Sequence, residues 1–293
     1  MLTAGPHQVE LDGITQAFEV VGQGPPCFVH SGGPGIDSNY LRMPLVEQYM
    51  TMIYLDPIGT GKSGLLPGGD YSVAEYARRL ELLRDHLDIT DGFVLGHSHG
   101  GMVGLQYALD HPGRLRGLIV YNGAPVGESD LIEEACRQVA AIAERWPDRA
   151  EMVAAVREFR RAVEGQDDVH DVESYAEHMK VILPLYFADY RRTCAELGAP
   201  PVASITVYDP ARKPYEWDVR SKLGAIDVPA LVLVGSYDFI CPPVWAQLIH
   251  AEMPGSRLIE FSDSGHFLHL EESRKFAEAV RDFSMEVRQA AGR

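Results

Sequence analysis

The sequence contains little cysteine and no long apolar run, and each shortage excludes a class of protein. Its 293 residues include four cysteines, which lie far apart without a C-x-x-C pair, so neither a disulfide framework nor a zinc site is indicated. No run of 18 apolar residues is present to cross a membrane. The first residues lack the basic start and apolar stretch of a signal peptide. We therefore expect a cytoplasmic protein.

Basic residues are also scarce. The chain has 26 Lys and Arg against 42 Asp and Glu, which gives a net charge of −16. A chain this acidic lacks the excess of basic residues that binding to nucleic acid or to an anionic membrane surface requires. The apolar fraction of 46% and the charged fraction of 23% are ordinary for a soluble globular protein. The composition predicts a globular protein that binds neither nucleic acid nor membrane.

Short apolar runs recur along the chain, with helical patterns between them. The runs are too short for helices and apolar almost throughout, which is typical of strands buried on both faces of a parallel sheet. They lie at 27–30, 52–55, 92–95, 118–121, 231–234 and 258–261. Helices are predicted after the S-x-x-E capping box at Ser72, from about 100 to Pro112, and from about 271 to 290. This alternation predicts an α/β fold with a mostly parallel central sheet flanked by helices.

The alternation stops between about 127 and 223, where Ala, Glu and Arg recur at helical spacing. We predict a core of residues 1–126 and 224–293, with a helical cap at 127–223 inserted between sheet strands. Two independent domains are the weaker alternative, because the end of the chain offers only two clear strands. Five aromatic residues in the insertion are expected to wall an apolar pocket, unless they form the core of the cap: Trp146, Tyr186, Phe187, Tyr190 and Trp217.

The sequence G-H-S-H-G-G at 96–101 directly follows the strand pattern 93–95 and precedes a helix. G-x-S-x-G in this context is typical of a nucleophile elbow, whose alternative is an ordinary glycine-rich turn. The turn forces the serine into strained backbone geometry, and glycines two positions away avoid a collision. We predict Ser98 as the nucleophile, at a helix N-terminus that favours negative charge. His97 and His99 cannot fold back onto the serine, so we expect them to line the pocket.

A serine hydroxyl needs a base and an orienting acid, which in such folds follow in the order Ser, acid, His. Asp238 and His266 each come directly after a predicted strand. Both therefore lie at the carboxyl edge of the sheet, where Ser98 also emerges. We predict Asp238 and His266 as the partners of Ser98, with Asp263 as the alternative acid.

A third glycine-rich segment, H-S-G-G-P-G at 30–35, follows an early strand. Acyl transfer develops an oxyanion that needs two preorganised N–H donors. One should be the amide of His99, the residue after the nucleophile, and the other the amide of Gly33, because Pro34 has no N–H. Gly32 is expected to contact the substrate.

The segment 56–63, D-P-I-G-T-G-K-S, is close to a phosphate-binding loop, but Asp56 occupies the position of the first glycine. Nucleotide binding is therefore disfavoured. We predict no cofactor and no metal.

With these motifs in view, the sequence resembles the α/β-hydrolase superfamily and, within it, the proline iminopeptidase branch of serine peptidases. The branch carries H-G-G-P-G, matched at 30–35 with one extra serine, and D-Q-x-G-x-G-x-S, matched at 56–63. The elbow, the dipeptide Trp217-Asp218 and the loops of Asp238 and His266 also fit. The resemblance implies cofactor-independent hydrolysis through an acyl-enzyme, with a helical cap over the pocket.

The resemblance spans about residues 20 to 290 and has two departures. His99 stands where the family's elbow has Trp or Tyr. Val207 stands where the family has a cap glutamate that holds the α-amine of the substrate; the nearby acids Asp209 and Glu216 would have to replace it.

Three hypotheses follow for an enzyme acting on a small molecule or a short peptide, whose oligomeric state stays open. The first is a proline iminopeptidase-like aminopeptidase. The second is an esterase, a lactonase or a hydrolase of non-peptide amides, in secondary metabolism for example, that uses the same triad without an amine site. The third is a lyase or a ligand-binding receptor on the same fold.

Overall fold

The protein is built on an eight-stranded sheet with the strand order β1-β2-β4-β3-β5-β6-β7-β8. The structure is a computed structural model that describes residues 2–33, 35–166, 169, 171–198, 209 and 211–291. The strands are β1 Gly5–Leu11, β2 Ile14–Gly22, β3 Pro26–His30, β4 Thr51–Asp56, β5 Phe93–His97, β6 Gly117–Tyr121, β7 Ala230–Gly235 and β8 Ser256–Phe261. The pairs β1–β2 and β2–β4 are antiparallel and the other pairs are parallel. The predicted mostly parallel sheet is confirmed.

Helices flank the sheet. They are α1 Val73–His86, α2 His99–Asp110, α3 Glu128–Arg145, α4 Ala150–Val163, α5 Val172–Ile182, α6 Tyr190–Leu197, α7 Pro243–Glu252, α8 Leu268–Glu271 and α9 Ser273–Ala291, with 3-10 turns at Asn39–Leu41, Leu183–Tyr186 and Arg220–Ala225. The helices α3 to α6 come between β6 and β7. We call residues 127–223 the inserted segment. None of the described helices is long and apolar enough to span a bilayer.

The start of α1 shows the expected N-cap but not the full capping box. The hydroxyl of Ser72 accepts a hydrogen bond from the amide of Glu75. The carboxylate of Glu75 pairs with Arg78 and Arg79. The N-cap therefore fixes where α1 begins, while the Glu75 side chain forms ion pairs along the helix.

Adjacent residues of the central strands face opposite sides of the sheet. On β5, Val94 belongs to a core cluster with residues of α1 and α2, whereas Leu95 belongs to a cluster with residues of α9. Because both faces are covered, both residues are buried. This is why the central strands have continuous apolar sequences.

The sequence analysis did not predict the hairpin formed by β1 and β2. Its turn is Asp12-Gly13, with φ angles of 51° and 72°. Asp-Gly is a favoured pair for a two-residue hairpin turn. The residues of β1 alternate between exposed and partly buried. An edge hairpin with one solvated face lacks the continuous apolar runs by which we recognised the other strands.

Candidate active site

Ser98 lies in the turn between β5 and α2, with φ 56° and ψ −120°. The backbone around it leaves no space for side chains. A Cβ atom on Gly96 would lie 2.0 Å from the carbonyl oxygen of Gly100, and one on Gly100 would lie 2.2 Å from the carbonyl oxygen of His30. Steric necessity therefore accounts for both glycines of G-x-S-x-G, and the serine holds a strained conformation.

Asp238 follows β7 and His266 follows β8, and their side chains meet. The Nδ1 atom of His266 is 2.7 Å from Oδ2 of Asp238, and both side chains are buried. The other carboxylate oxygen, Oδ1, accepts the amides of Ile240 and Cys241 at 3.0 Å each. Because a carboxylate accepts, Nδ1 of His266 carries a proton, so in the neutral ring the lone pair is on Nε2. Asp263, the alternative acid, is exposed.

Ser98 and His266 line the same cavity, of about 210 Å³. The Cys241 thiol lies near the Ser98 hydroxyl, and among the described residues no hydrogen bond joins that hydroxyl to the His266 ring. Burial raises the pKa of the Cys241 thiol well above its usual value, so this thiol stays protonated. Hydrogen bonds between nucleophile and base often tighten only when substrate binds.

The wall of this cavity combines core and inserted residues. Gly32, His97 and Tyr186, which the sequence analysis expected at the substrate pocket, are among its lining residues. Its aliphatic and thioether lining residues are Ile36, Met102, Leu131, Met179, Leu183 and Ile240, and the ring of Phe267 also lines it. No Asp or Glu is among the lining residues that the structure describes. The space beside Ser98 is thus largely apolar.

Of the five aromatic residues that the sequence analysis expected to wall the pocket, the four other than Tyr186 are not among the residues that line this cavity, which corrects their assignment to the substrate pocket. Tyr175 and Tyr215, also in the inserted segment, line it instead. Trp146 lies in a surface groove, with the guanidinium of Arg149 3.5 Å from its ring centroid. The indole N–H of Trp217 donates to Gln106 at 2.7 Å. Phe187 and Tyr190 pack against each other, with their ring centroids 5.7 Å apart. Aromatic content could not distinguish these packing roles from a pocket wall.

The loop after β3 approaches the nucleophile. A Cβ atom on Gly32 would lie 2.9 Å from Cβ of Ser98, and Gly33 has a φ of +118°. Within the described part of the chain, the amides of Gly33 and His99 donate to no acceptor. Two unpaired N–H groups beside a serine are suited to stabilise an oxyanion. Pro34 lies outside the described residues.

The two histidines beside Ser98 are both buried and both line the cavity. Burial lowers the pKa of His97 well below its usual value, and the neighbouring His266 lowers it further. Burial also lowers the pKa of His99 well below its usual value, and the nearby His30 lowers it further. The Nε2 atom of His99 is 2.9 Å from the hydroxyl of Tyr215, in the inserted segment. Both flanking histidines are therefore neutral.

The acids considered as amine-binding groups lie elsewhere. Asp209 accepts a hydrogen bond from Tyr71 at 2.6 Å. Glu216 is exposed and lines a separate open cavity. Val207 lies outside the described residues, and the stretch 199–208 contains no Asp or Glu. Among the residues described, no three metal-ligating side chains converge on one point.

Sequence reasoning missed Asn122 and Glu271, which hold the His266 loop in place. Asn122, at φ 46°, donates to the carbonyl of Gly265 at 3.1 Å and accepts the amide of Gly235 at 3.0 Å. The Glu271 carboxylate accepts the amides of Gly265 at 2.7 Å and Ala188 at 2.9 Å. Burial raises the pKa of Glu271 to about 7. Three of these four hydrogen bonds join residues more than 80 positions apart, so no local pattern marks them.

Comparison with known proteins identifies the family to which the chain belongs. The family model described as "alpha/beta hydrolase fold" matches residues 25–273. The proline iminopeptidase of Saccharolobus solfataricus is 30% identical over 272 residues, which are 87% of this chain and 83% of the relative. The chain belongs to the α/β-hydrolase family, in the branch that resembles proline iminopeptidases.

Two solved structures show the same fold. The proline iminopeptidase of Mycobacterium smegmatis has a TM-score of 0.70 at 21% identity, with 98% of this chain and 100% of that chain covered. An esterase from Exiguobacterium antarcticum has a TM-score of 0.66 at 24% identity, with 96% and 99% covered. The protein is thus a hydrolase of a family whose members include peptidases and esterases.

Proposed function

We propose that the protein is a serine hydrolase in which Ser98 forms an acyl-enzyme with an uncharged, apolar acyl group. The observation that carries this proposal is the strained Ser98 elbow in one cavity with the buried Asp238–His266 pair. Residues 1–126 and 224–293 serve as the catalytic core and residues 127–223 as its cap. The placement of α3 to α6 between β6 and β7 supports this division.

The reaction begins when Oγ of Ser98 attacks the substrate carbonyl carbon while Nε2 of His266 takes the hydroxyl proton. Asp238 keeps the imidazole in the required tautomer and stabilises the imidazolium. The amides of Gly33 and His99 stabilise the oxyanion. The imidazolium then gives its proton to the leaving group as the bond to the carbonyl carbon breaks. Water, deprotonated by the same histidine, attacks the carbonyl carbon of the acyl-enzyme. The bond between that carbon and Oγ of Ser98 then breaks, the imidazolium returns the proton to Oγ, and the carboxylic acid leaves.

The lining of the cavity favours substrates that have no charged amine beside the reacting carbonyl. An aminopeptidase must bind a substrate ammonium, and burying that charge without a partner costs several kcal/mol. Neither Asp209 nor Glu216 lies at the cavity, and its described wall has no carboxylate. Esters, lactones and amides with a blocked or absent amine carry no such charge. We therefore favour them as substrates.

A second candidate is release of an N-terminal proline. It is favoured by the 30% identity with a relative named proline iminopeptidase. This activity needs a carboxylate within reach of the substrate amine beside Ser98. Such a group would have to come from outside the described wall of the cavity.

One assay compares these candidates. Wild-type protein and Ser98→Ala are tested with prolyl-arylamide, with its N-acetylated counterpart and with p-nitrophenyl butyrate. We expect turnover of the ester, no preference for the free amine over the blocked amide, and no turnover by the variant. Turnover of the free-amine substrate alone would establish the aminopeptidase instead. Equal turnover by Ser98→Ala would contradict the mechanism, and inert wild-type protein would favour a lyase or a receptor.

A further inference from the structure

Tyr40, in the 3-10 turn Asn39–Leu41, is hydrogen-bonded to the loop after β3 and to His97, which precedes Ser98. Its hydroxyl oxygen is 2.7 Å from the amide nitrogen of Gly32 and 2.7 Å from Nδ1 of His97. The Nε2 atom of His97 is 2.9 Å from the carbonyl oxygen of His266. A continuous chain of hydrogen bonds therefore connects the loop of the oxyanion donors with the loop of the base.

The partners of this chain fix its direction. The carbonyl of His266 can only accept, so Nε2 of His97 carries the proton. His97 is buried and neutral, so its Nδ1 has a lone pair and accepts the hydrogen of the Tyr40 hydroxyl. The oxygen of that hydroxyl then accepts the amide hydrogen of Gly32. The only hydrogen of the Tyr40 hydroxyl is thereby committed to His97, and none remains for a substrate.

A second histidine holds the main chain of Tyr40. The Nε2 atom of His269 is 2.8 Å from the carbonyl oxygen of Tyr40, and its Nδ1 is 2.8 Å from the hydroxyl of Tyr121. The same reasoning places the proton of His269 on Nε2, because the Tyr40 carbonyl can only accept. Burial lowers the pKa of His269 to about 4, so this ring is neutral as well. Tyr40 is thus fixed through its side chain and its backbone.

We infer that Tyr40 and His97 are positioning residues that set the oxyanion loop relative to the His266 loop. The bond from Gly32 to the Tyr40 hydroxyl orients the peptide unit directly before the Gly33 amide. An oxyanion donor works only at hydrogen-bonding distance from the developing charge, so a small displacement of that amide weakens transition-state stabilisation. The inference rests on the proposed function of Ser98, and its tests separate the two.

The first test is the rate at which a fluorophosphonate labels Ser98, because its phosphoryl oxygen needs the same donors as the substrate. Tyr40→Phe removes only the hydroxyl, and we expect labelling to slow by about 10- to 100-fold, since loss of a whole donor costs about 10²- to 10³-fold. The matched control is Tyr54→Phe. The hydroxyl of Tyr54 also binds a backbone amide, that of Met43, and a side chain, that of Glu47, but it lies outside this cavity. We expect Tyr54→Phe to label within about twofold of wild type, because the oxyanion donors are untouched.

His97→Asn provides a second variant in case Tyr40→Phe folds poorly. The Asn oxygen can accept the Tyr40 hydroxyl, but the bond to the His266 carbonyl is lost. We expect slower labelling than wild type at a temperature at which both proteins are folded. One outcome is that wild type is labelled at Ser98 while Tyr40→Phe and His97→Asn are both labelled as fast as Tyr54→Phe. In that case the inference is wrong and the role of Ser98 stands.

A second measurement does not depend on activity. Long-range ¹H–¹⁵N NMR spectra of wild-type protein report the tautomer of each histidine. We expect the ring of His97 to be neutral with its proton on Nε2 from pH 5 to pH 9. A proton on Nδ1, or an imidazolium within this range, would overturn the inference even if no labelling occurs. Absence of labelling in wild type, with the expected tautomer, would contradict the proposed function alone.

Discussion

The carboxyl edge of the sheet and the inserted segment contribute to the same cavity under different constraints. At the edge, backbone contacts dictate residue identity: a Cβ atom on Gly100 would meet the His30 carbonyl at 2.2 Å, and one on Gly235 would meet the Gly265 carbonyl at 2.1 Å. The inserted segment contributes apolar side chains such as Leu131 and Met179. Other side chains of similar volume can fill such positions. Under the proposed function, the edge would determine the chemistry and the inserted segment would adjust the choice of substrate.

The largest expected effect is at the edge. Ser98→Ala should lower kcat by about 10⁴-fold or more on every substrate, because no other group can form the acyl-enzyme. The melting temperature should stay within about 2 °C of wild type, because only one partly exposed oxygen is lost. Steady-state kinetics and a thermal scan check both. Residual kcat within 100-fold of wild type would mean that the nucleophile is elsewhere.

Two glycine substitutions compare the regions directly. Gly100→Ala places a Cβ atom against backbone that cannot move, and we expect a loss of about 3 kcal/mol in unfolding free energy. Gly165→Ala, in the inserted segment, meets nothing within 4 Å and has only the strain of a φ of +67°. Its cost should be about 1 kcal/mol. Urea denaturation measures both, and equal losses would contradict the steric account of the elbow.

Glu271 joins the two regions, since it accepts amides from Gly265 and Ala188. Burial raises its pKa from 4.5 to about 7 in the folded protein, although both amides and Arg192 oppose the shift. A raised carboxyl pKa means that folding binds a proton. Its contribution to stability is present below pH 4.5 and is lost as the pH rises through 7.

Glu271→Gln cannot ionise and should lack this pH dependence. Relative to the variant, wild type should lose up to about 3 kcal/mol of unfolding free energy between pH 5 and pH 8. Denaturant titrations across this range provide the measurement. A difference between the two proteins that stays constant with pH would show that the carboxyl titrates normally.

The smallest effect is expected in the cavity wall. Met179→Ala shortens an apolar side chain of the inserted segment, and we expect KM for an apolar ester to rise about 10-fold, from about 1 to 2 kcal/mol of lost contact. The rate of Ser98 labelling by a small fluorophosphonate should not change. Val153→Ala, exposed and outside the cavity, is the control. A fall in labelling with Met179→Ala would mean that the inserted segment also sets the chemistry.

The same contrast explains what could be predicted from the sequence. The strand ends, the elbow around Ser98 and the candidates Asp238 and His266 have local signals, because tight turns and buried strands restrict the residues that can form them. Tyr40 reaches His97 across 57 positions, and no pattern near either residue reports that contact. Composition shows that the inserted segment is aromatic and so predicts Trp146 at the pocket, but only packing decides which surface its ring covers.

The most direct test of the central claim is to trap the acyl-enzyme. Wild-type protein is mixed with p-nitrophenyl butyrate, quenched in acid within the first turnovers and digested, and the peptides are examined by mass spectrometry. We expect one butyryl group, on the peptide that contains Ser98, and none at this site in Ser98→Ala. A butyryl group on another residue, such as the exposed Cys136, or turnover without any adduct on Ser98, would contradict the proposed mechanism.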